Sequence, residues 1–275
     1  KESLEEAVFK SALLMRPVFE AAATATRKIV FAEGEDERVL RAAQAILEET
    51  IEQPVLIGRP DVIDARCQRL GLKIKPGKDF RIVNPERDER YRDYWETYHD
   101  IMKRRCATPE LAEAIMRPNS TAIAAIMVYR GEVDSLICGT FGEYRWHLNY
   151  VTQVLGDSEH HPHGAVSMMI LEDGPLFIAD THVRTHPNPE ELAETAIGAA
   201  RHVTRFGLEA KIAFCSQSQF GNQGSDSGKR LRAALEILDK EQRNFVYEGE
   251  MNLDAALDPE LRERLLPDNR MDGAA

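Results

Sequence analysis

Short apolar segments alternate with stretches of helical periodicity along most of the chain, and this alternation is the feature that most restricts its fold. Parallel pairing is expected, because strands separated by helices have the long crossovers that parallel neighbours require. The sequence therefore predicts an α/β protein with mostly parallel sheets. The predicted strands are Lys28–Ala32, Pro54–Ile57, Asp79–Val83, Ser135–Cys138, Lys211–Phe214 and Asn244–Tyr247.

Helical periodicity fills the intervals. Between Arg87 and Arg130 we expect two or three helices broken near Pro109 and Pro118, because proline lacks the N–H donor that a helix interior uses. For the same reason we expect Pro17 to kink or break the first helix. The other predicted helices cover residues 3–23, 35–49, 60–70, 143–155, 189–206, 225–238, 252–257 and 258–266.

The second half of the chain adds a hairpin. Ala165–Leu171 and Leu176–Ala179 flank Glu172-Asp173-Gly174-Pro175, which has the composition of a hairpin turn. Leu176–Ala179 is also followed by a helix opened by Pro189 and by the strand Lys211–Phe214. That order predicts that these two strands belong to one parallel unit.

The segment Gly156–Gly164 is polar and rich in His and Pro, and we place a domain boundary there. We expect a first α/β domain over 1–156 and a second over 157–275. Open α/β sheets bind ligands beyond the carboxyl ends of their strands, so the ligand site is expected in a cleft between the two domains.

Composition restricts the partners. The 275 residues carry a formal net charge of −11, so neither nucleic acid nor an anionic membrane is an expected partner. No apolar run approaches the ~20 residues of a membrane span. Glu2, Glu5 and Glu6 stand where a signal peptide has its basic region, so a cytoplasmic location is expected.

The four cysteines form no CxxC pair, and we expect them to be reduced and mostly buried thiols. No histidine stands in a local motif with Cys215, so a catalytic thiol there is not expected. The thiols are those of Cys67, Cys106, Cys138 and Cys215.

The strongest candidate for a binding site follows the strand Lys211–Phe214. Hydroxyls, glycines and the N–H groups of the next helix suit a phosphate or another anion, although a plain strand-to-helix connection fits the same pattern. The candidate ligand-binding residues in this loop are Ser216, Ser218, Phe220, Gly221, Asn222 and Ser225.

Four further candidates lie at the ends of strands or at the start of a helix: Glu33, Thr140, Arg145 and Asp180. Three of them have a structural alternative. Asp180 suits an Asx turn as well as a ligand, Arg145 suits a solvated surface as well as an anion, and Glu33 fits either role. No metal site is expected, because His160, His161 and His163 lie in a Pro-broken segment without acidic or thiol ligands at helical spacing.

Several segments together resemble the phosphotransacetylase (phosphate acetyltransferase) family, over essentially the whole chain from Arg27. The resemblance implies a two-domain, isocitrate dehydrogenase-like α/β fold. The segments are Phe31–Leu40, Ile57–Pro60, Phe177–Thr181 with the helix start Glu190–Glu194, Ser216–Gly221 and Gly249–Leu257.

Three other segments, Ile137–Tyr144, Arg92–Trp95 and Arg205–Leu208, resemble the C-terminal domain of bacterial NADP-dependent hybrid malic enzymes. This resemblance implies a malic enzyme catalytic domain in the same polypeptide, which would hold NADP and a divalent metal. It further implies acetyl-CoA as a regulatory ligand of this chain and a homo-oligomer, dimer or higher. The helix-rich segment Arg87–Arg130 is a candidate for the oligomer surface.

The chain also departs from active phosphotransacetylases. Gly139–Arg145 replaces their longer Ser-Gly-Ala…Thr-Leu-Arg segment, and Phe220 and Asn222 replace a Lys and a Ser. Their Ser-Arg-Gly motif and the following Asp are expected beyond Ala275, and no residue here matches them, so we assign no catalytic residue. An active phosphate acetyltransferase remains the alternative function. A related dehydrogenase is a weaker one, because no GxGxxG follows a strand.

Overall fold

Four strands pair in parallel in the computed structural model of the protein, which describes residues 2–24, 27–48, 53–156, 164–171, 174–222, 224–241 and 243–275. They are β1 (Ile29–Phe31), β2 (Val55–Ile57), β3 (Arg81–Val83) and β4 (Ser135–Ile137), in the order β3-β2-β1-β4. The carboxyl ends of all four strands therefore meet at one edge of the sheet.

Alternate residues of each strand point to opposite faces of this sheet. Helices cover both faces. Val30 packs into a cluster with residues of α4, α5, α6 and α7, whereas Phe31 packs with α2 and α3. The chain begins with α1 (Glu2–Thr24). The helices around the sheet are α2 (Glu37–Glu48), α3 (Pro60–Arg69), α4 (Tyr91–Met102), α5 (Pro109–Met116), α6 (Ser120–Tyr129) and α7 (Tyr144–Leu155), with a 3₁₀ turn at Lys103–Arg105.

Helix α6 is the centre of this core. All residues from Thr121 to Met127 are buried, which fits a helix that is apolar around its whole circumference. The starts of α5 and α6 coincide with the breaks predicted near Pro109 and Pro118, so that prediction is confirmed. The segment Arg87–Arg130, the candidate for the oligomer surface, thus contains α6, whose residues from Thr121 to Met127 are buried against the sheet.

The remaining strands form two small sheets. Strands β5 (Val166–Leu171) and β6 (Gly174–Ala179) pair antiparallel, and β7 (Lys211–Cys215) and β8 (Val246–Met251) pair in parallel. The helices are α8 (Pro189–Arg205), α9 (Asp226–Glu241), α10 (Leu253–Leu257) and α11 (Pro259–Leu265). Asn188 and Glu191 form a capping box at the start of α8, which fixes that helix boundary.

The α/β class and the parallel first sheet confirm the predicted fold class. The chain divides into a first unit, Glu20–His161, and a second unit, Pro162–Ala275 with Lys1–Phe19. The predicted boundary between residues 156 and 157 and the predicted cleft stay predictions. The histidines at 160, 161 and 163 lie outside the described residues, as do Glu172 and Asp173 of the predicted turn.

Pro17 stands inside α1 and does not break it, and the predicted kink stays a prediction. Three other predictions were wrong. Among the described residues, β6 pairs with β5 and β7 with β8, so β6 and β7 do not form one parallel unit. Strand β8 begins at Val246 and continues to Met251, beyond the predicted Tyr247. Of the four free thiols only Cys67 is buried.

A buried arginine fixes the end of the described chain. Arg262 of α11 is 1% exposed. Its guanidinium donates to the carbonyl oxygens of Ala255, Ala256, Met271 and Gly273 and to Oδ1 of Asn269. Five acceptors thus depend on one side chain.

We expect Arg262→Met to destabilise the second unit by about 3 kcal/mol, because the substitution leaves buried carbonyl groups without donors. In differential scanning calorimetry the corresponding Tm should fall by roughly 10 °C. Arg264→Met, at an exposed position of the same helix, is the control and should change the Tm little. Equal Tm values for the two variants would contradict this stabilising role of Arg262.

Candidate functional site

Residues that follow all four strands of the first unit line a cavity of about 410 Å³ at the carboxyl edge of the sheet. Parallel sheets place their ligand sites at this edge. The cavity lies within the first unit and is lined by Ala32, Glu33, Glu35, Asp36, Ile57, Gly58, Arg66, Pro85, Ser120 and Phe141. Glu33 is therefore the predicted site residue that lines it directly.

A close approach of two chain segments positions Glu33. A Cβ at Gly34 would lie 2.7 Å from Cβ of Leu56 and 2.8 Å from the Ile57 carbonyl oxygen, so only glycine fits there. The Gly34 N–H donates to that same carbonyl at 2.9 Å. This contact anchors the turn after β1 against β2.

The carboxylate of Glu33 is buried, with 6% of the residue exposed. Its Oε1 accepts a hydrogen bond from the Gly139 N–H at 3.0 Å and lies 3.8 Å from Nδ1 of His147. Its Oε2 has no hydrogen-bond partner among the described residues. A buried acceptor without a donor is costly, and it marks the place where a ligand or water completes the site.

His147 holds the loop after β4. Its Nε2 lies 2.7 Å from the Phe141 carbonyl oxygen, which only accepts, so Nε2 carries the proton. Its Nδ1 lies 2.8 Å from Oγ1 of Thr121, within hydrogen-bond distance. Both ring nitrogens are thus engaged. Sequence analysis missed His147, because its role depends on contacts between three separate elements.

Ion pairs surround the cavity. Arg38 binds Asp36 and its hydrogen bonds lower the pKa of that carboxyl to about 2. Arg59 binds Glu35 and lowers its pKa in the same way. These acids stay ionised at neutral pH, and their charges are already compensated.

The structure separates Thr140 and Arg145. The Thr140 carbonyl oxygen accepts from Arg38 next to the cavity. Arg145 is exposed on α7 and has no hydrogen bond or ion pair with any described residue. An anion-binding role for Arg145 stays a prediction.

In the second unit, the loop after β7 brings the other predicted residues together. The N–H of Ser216 donates to the Met251 carbonyl at 2.8 Å, and that of Phe220 donates to the Glu250 carbonyl at 2.7 Å. Ser225 caps α9, because its Oγ accepts from the Gly228 N–H at 3.1 Å. Oδ1 of Asn222 accepts from the Gln219 N–H at 3.0 Å and closes the turn.

A carboxylate occupies the centre of this loop. Glu250 is fully buried, and its Oε1 accepts from the Ser218 hydroxyl, from the Gly221 N–H at 3.1 Å and from Nη1 of Arg232 at 2.6 Å. Burial raises the pKa of Glu250, but these hydrogen bonds more than offset it, so its pKa lies below the usual value. Donors that the sequence suggested for a phosphate thus already bind an internal anion.

Sequence analysis missed Glu250 because it ended β8 four residues early. Asp180, by contrast, matches the structural alternative. Its carboxylate accepts from the N–H groups of Ala165, His182, Val183 and Arg184, which closes the turn after β6. A ligand role for either cluster of predicted residues stays a prediction.

No group of three or more His, Cys, Asp or Glu side chains in the described ranges could hold a metal ion. Across the same ranges, no helix is both long and apolar enough to cross a membrane.

A family model described as phosphate acetyl/butaryl transferase matches residues 13–275. The chain belongs to this family. An NADP-dependent malic enzyme of Salmonella typhimurium is 46% identical over all 275 residues, and an NAD-dependent malic enzyme of Rhizobium meliloti is 44% identical over the whole chain. The chain spans 36% of the length of each of these relatives.

Solved structures agree with this family assignment. A phosphotransacetylase from Streptococcus pyogenes superposes with a TM-score of 0.86 at 26% identity, over 95% of this chain and 79% of that one. The predicted resemblance to phosphotransacetylases and to malic enzymes is therefore confirmed.

The buried Glu250 predicts a specific pH dependence. Its depressed pKa means that its stabilisation is fully present above about pH 4.5, the ordinary value, and is lost as the pH falls through the folded-state pKa. We expect Glu250→Gln to lower the free energy of unfolding by about 2–3 kcal/mol at pH 7. That difference should shrink in urea titrations below pH 4.5.

Glu236→Gln is the matched control, since Glu236 is exposed on α9. It should leave the free energy of unfolding unchanged at both pH values. A Glu250→Gln deficit that is the same at neutral pH and below pH 4.5 would argue against an ionised Glu250.

Proposed function

We propose that this chain is a regulatory and oligomerising domain that binds acetyl-CoA, or a related acyl-CoA, without transferring the acetyl group. In this proposal it adjusts a malic enzyme catalytic domain of the same polypeptide. NADP or NAD and a divalent metal belong to that catalytic domain. The malic enzyme relatives are named for both nucleotides, so the choice between them lies with the catalytic domain.

The observation that carries the proposal is the combination of two similarities. The chain matches an acyltransferase family over residues 13–275 and is 46% identical to part of a malic enzyme. The first similarity supports an acyl-CoA or acyl phosphate as ligand. The second supports a regulatory use of that ligand, for which ligand binding must favour one conformational state by about 1–3 kcal/mol.

The hydrogen bonds of the site support binding without catalysis. Acetyl transfer to coenzyme A needs a base for the thiol and donors for the phosphate. His147 has both ring nitrogens engaged, and Ser218 and Gly221 already bind Glu250. These groups are therefore poorly placed to take up either task.

An active phosphate acetyltransferase is the alternative, and family membership favours it. The two functions differ in turnover rather than in ligand. Calorimetric titration with acetyl-CoA, coenzyme A and acetyl phosphate, together with an assay for acetyl-CoA formation, separates them. We expect saturable binding of acetyl-CoA and no formation of acetyl-CoA from acetyl phosphate.

Turnover in that assay would establish the acetyltransferase instead. Absence of acetyl-CoA binding would overturn both functions and leave a structural domain. The effect on malate oxidation, measured with and without acetyl-CoA, gives the sign of the regulation.

The hairpin β5–β6 is the surface that we propose for self-association. Its register places Met169, Leu171 and Ile178 on one face, and all three are exposed. The other face carries Phe177, whose ring packs 5.4 Å from that of Phe206 after α8. Neither strand contains a charged residue. In a chain of net charge −11, an uncharged apolar face is the surface on which two copies can meet without repulsion.

We expect Ile178→Lys to shift the protein towards the monomer, because the substitution places two charges at a two-fold apolar contact. Sedimentation velocity measures the change. Leu111→Lys is the matched control, since Leu111 is an exposed apolar residue of α5 in the segment Arg87–Arg130. Dissociation by Leu111→Lys alone would move the interface to that segment.

A further inference from the structure

The cavity at the edge of the first sheet is lined by a residue with an acceptor that no described residue uses. The acceptor is Oε2 of Glu33, which lines the cavity. The side-chain nitrogen of Asn119, a residue that is 2% exposed, also lacks a hydrogen-bond partner among the described residues. Asn119 directly precedes Ser120, which lines the same cavity.

The orientation of both groups is fixed by their second atom. Oδ1 of Asn119 accepts from the Ala122 N–H at 2.9 Å, which leaves its amide N–H groups as the unused donors. Oε1 of Glu33 accepts from the Gly139 N–H, which leaves Oε2 as the unused acceptor. A ligand in the cavity that uses Oε2 of Glu33 must present a donor to it.

An exposed aromatic ring also restricts the kind of ligand that fits. Phe141 lines the cavity and is 68% exposed, although its backbone is held by His147. An exposed aromatic ring on a fixed loop is suited to stack against a planar heterocycle. The volume of about 410 Å³ falls in the range of small-ligand sites.

We propose that this cavity binds the adenine ring of the nucleotide, with the exocyclic amine donating to Oε2 of Glu33 and a ring nitrogen accepting from the hydroxyl of Ser120, which also lines the cavity. The proposal rests on acetyl-CoA binding and assigns its adenine to the first unit. Adenine presents an amine donor beside a ring-nitrogen acceptor on one edge. Phe141 stacks on its face.

Because of the Gly139 N–H, Glu33→Gln tests the polarity of the atom at the position of Oε2 and leaves the shape of the side chain unchanged. The amide oxygen of the substituted side chain must remain with that N–H, because an amide NH₂ group cannot accept its hydrogen bond. The NH₂ group then occupies the place of Oε2 and faces the cavity. The unused acceptor becomes a donor, which opposes the amine of adenine and suits the carbonyl oxygen of hypoxanthine.

The experiment is calorimetric titration of the wild-type protein and of Glu33→Gln with acetyl-CoA and with deamino-acetyl-CoA, in which hypoxanthine replaces adenine. We expect the wild type to bind acetyl-CoA about tenfold more tightly than the deamino analogue, and Glu33→Gln to reverse this preference. The titrations use the whole protein.

Two further variants separate recognition from folding. Phe141→Leu should weaken both ligands by the same factor, about tenfold, because stacking does not distinguish the bases. Glu143→Gln, an exposed neighbour at the start of α7, should change neither affinity. Thermal unfolding of each variant checks that the fold is retained.

Acetyl-CoA binding with the same base preference in wild type and Glu33→Gln would overturn the adenine site and leave the proposed function intact. Equal affinity of the wild type for both ligands would do the same. If the wild type binds neither ligand, both the adenine site and acetyl-CoA regulation are wrong.

Discussion

Burial of both faces of the β3-β2-β1-β4 sheet is the constraint on which the first unit depends. A three-residue strand such as β2, buried throughout, has no polar face to expose. Parallel neighbours buried on both faces require helical crossovers. The crossovers return each strand in the same direction, and the polar residues that end the strands therefore collect at one edge. The cavity around Glu33 is a consequence of this connectivity.

Two buried carboxylates, Glu250 and Glu33, have different surroundings and therefore different roles. Glu250 is enclosed by the loop after β7, and its Oε1 accepts from Ser218, Gly221 and Arg232. It organises the loop from within, in the place where sequence reasoning expected an external phosphate. Glu33 has one oxygen anchored by Gly139, and its other oxygen has no protein donor beside the cavity. Oε2 lacks a hydrogen-bond partner among the described residues in both carboxylates, but Glu33 lines the cavity of the first unit, whereas Glu250 is enclosed by its own loop.

Local sequence signals were sufficient for most helices and for the first sheet. The starts of α5 and α8 follow from Pro109 and from the Asn188 capping box, because both act within a few residues of chain. The strands of the second unit were harder. Leu176–Ala179 has the composition of a buried strand, and nothing within it distinguishes pairing with β5 from pairing with β7. The extent of β8 was missed because Glu248 and Glu250 are charged, and only their tertiary hydrogen bonds allow them in a strand.

The sequence by itself determined the α/β class, the family, and Glu33 and the loop at 216–225 as candidate positions, since these depend on residue types and short spacings. The tertiary structure decided which of their atoms are in use. It paired His147 with Thr121 and Phe141, and it placed Glu250 among the loop donors. It also left Oε2 of Glu33 without a donor among the described residues. A hydrogen bond between residues that are 26 or 32 positions apart depends on how the elements pack, and no local pattern encodes that distance.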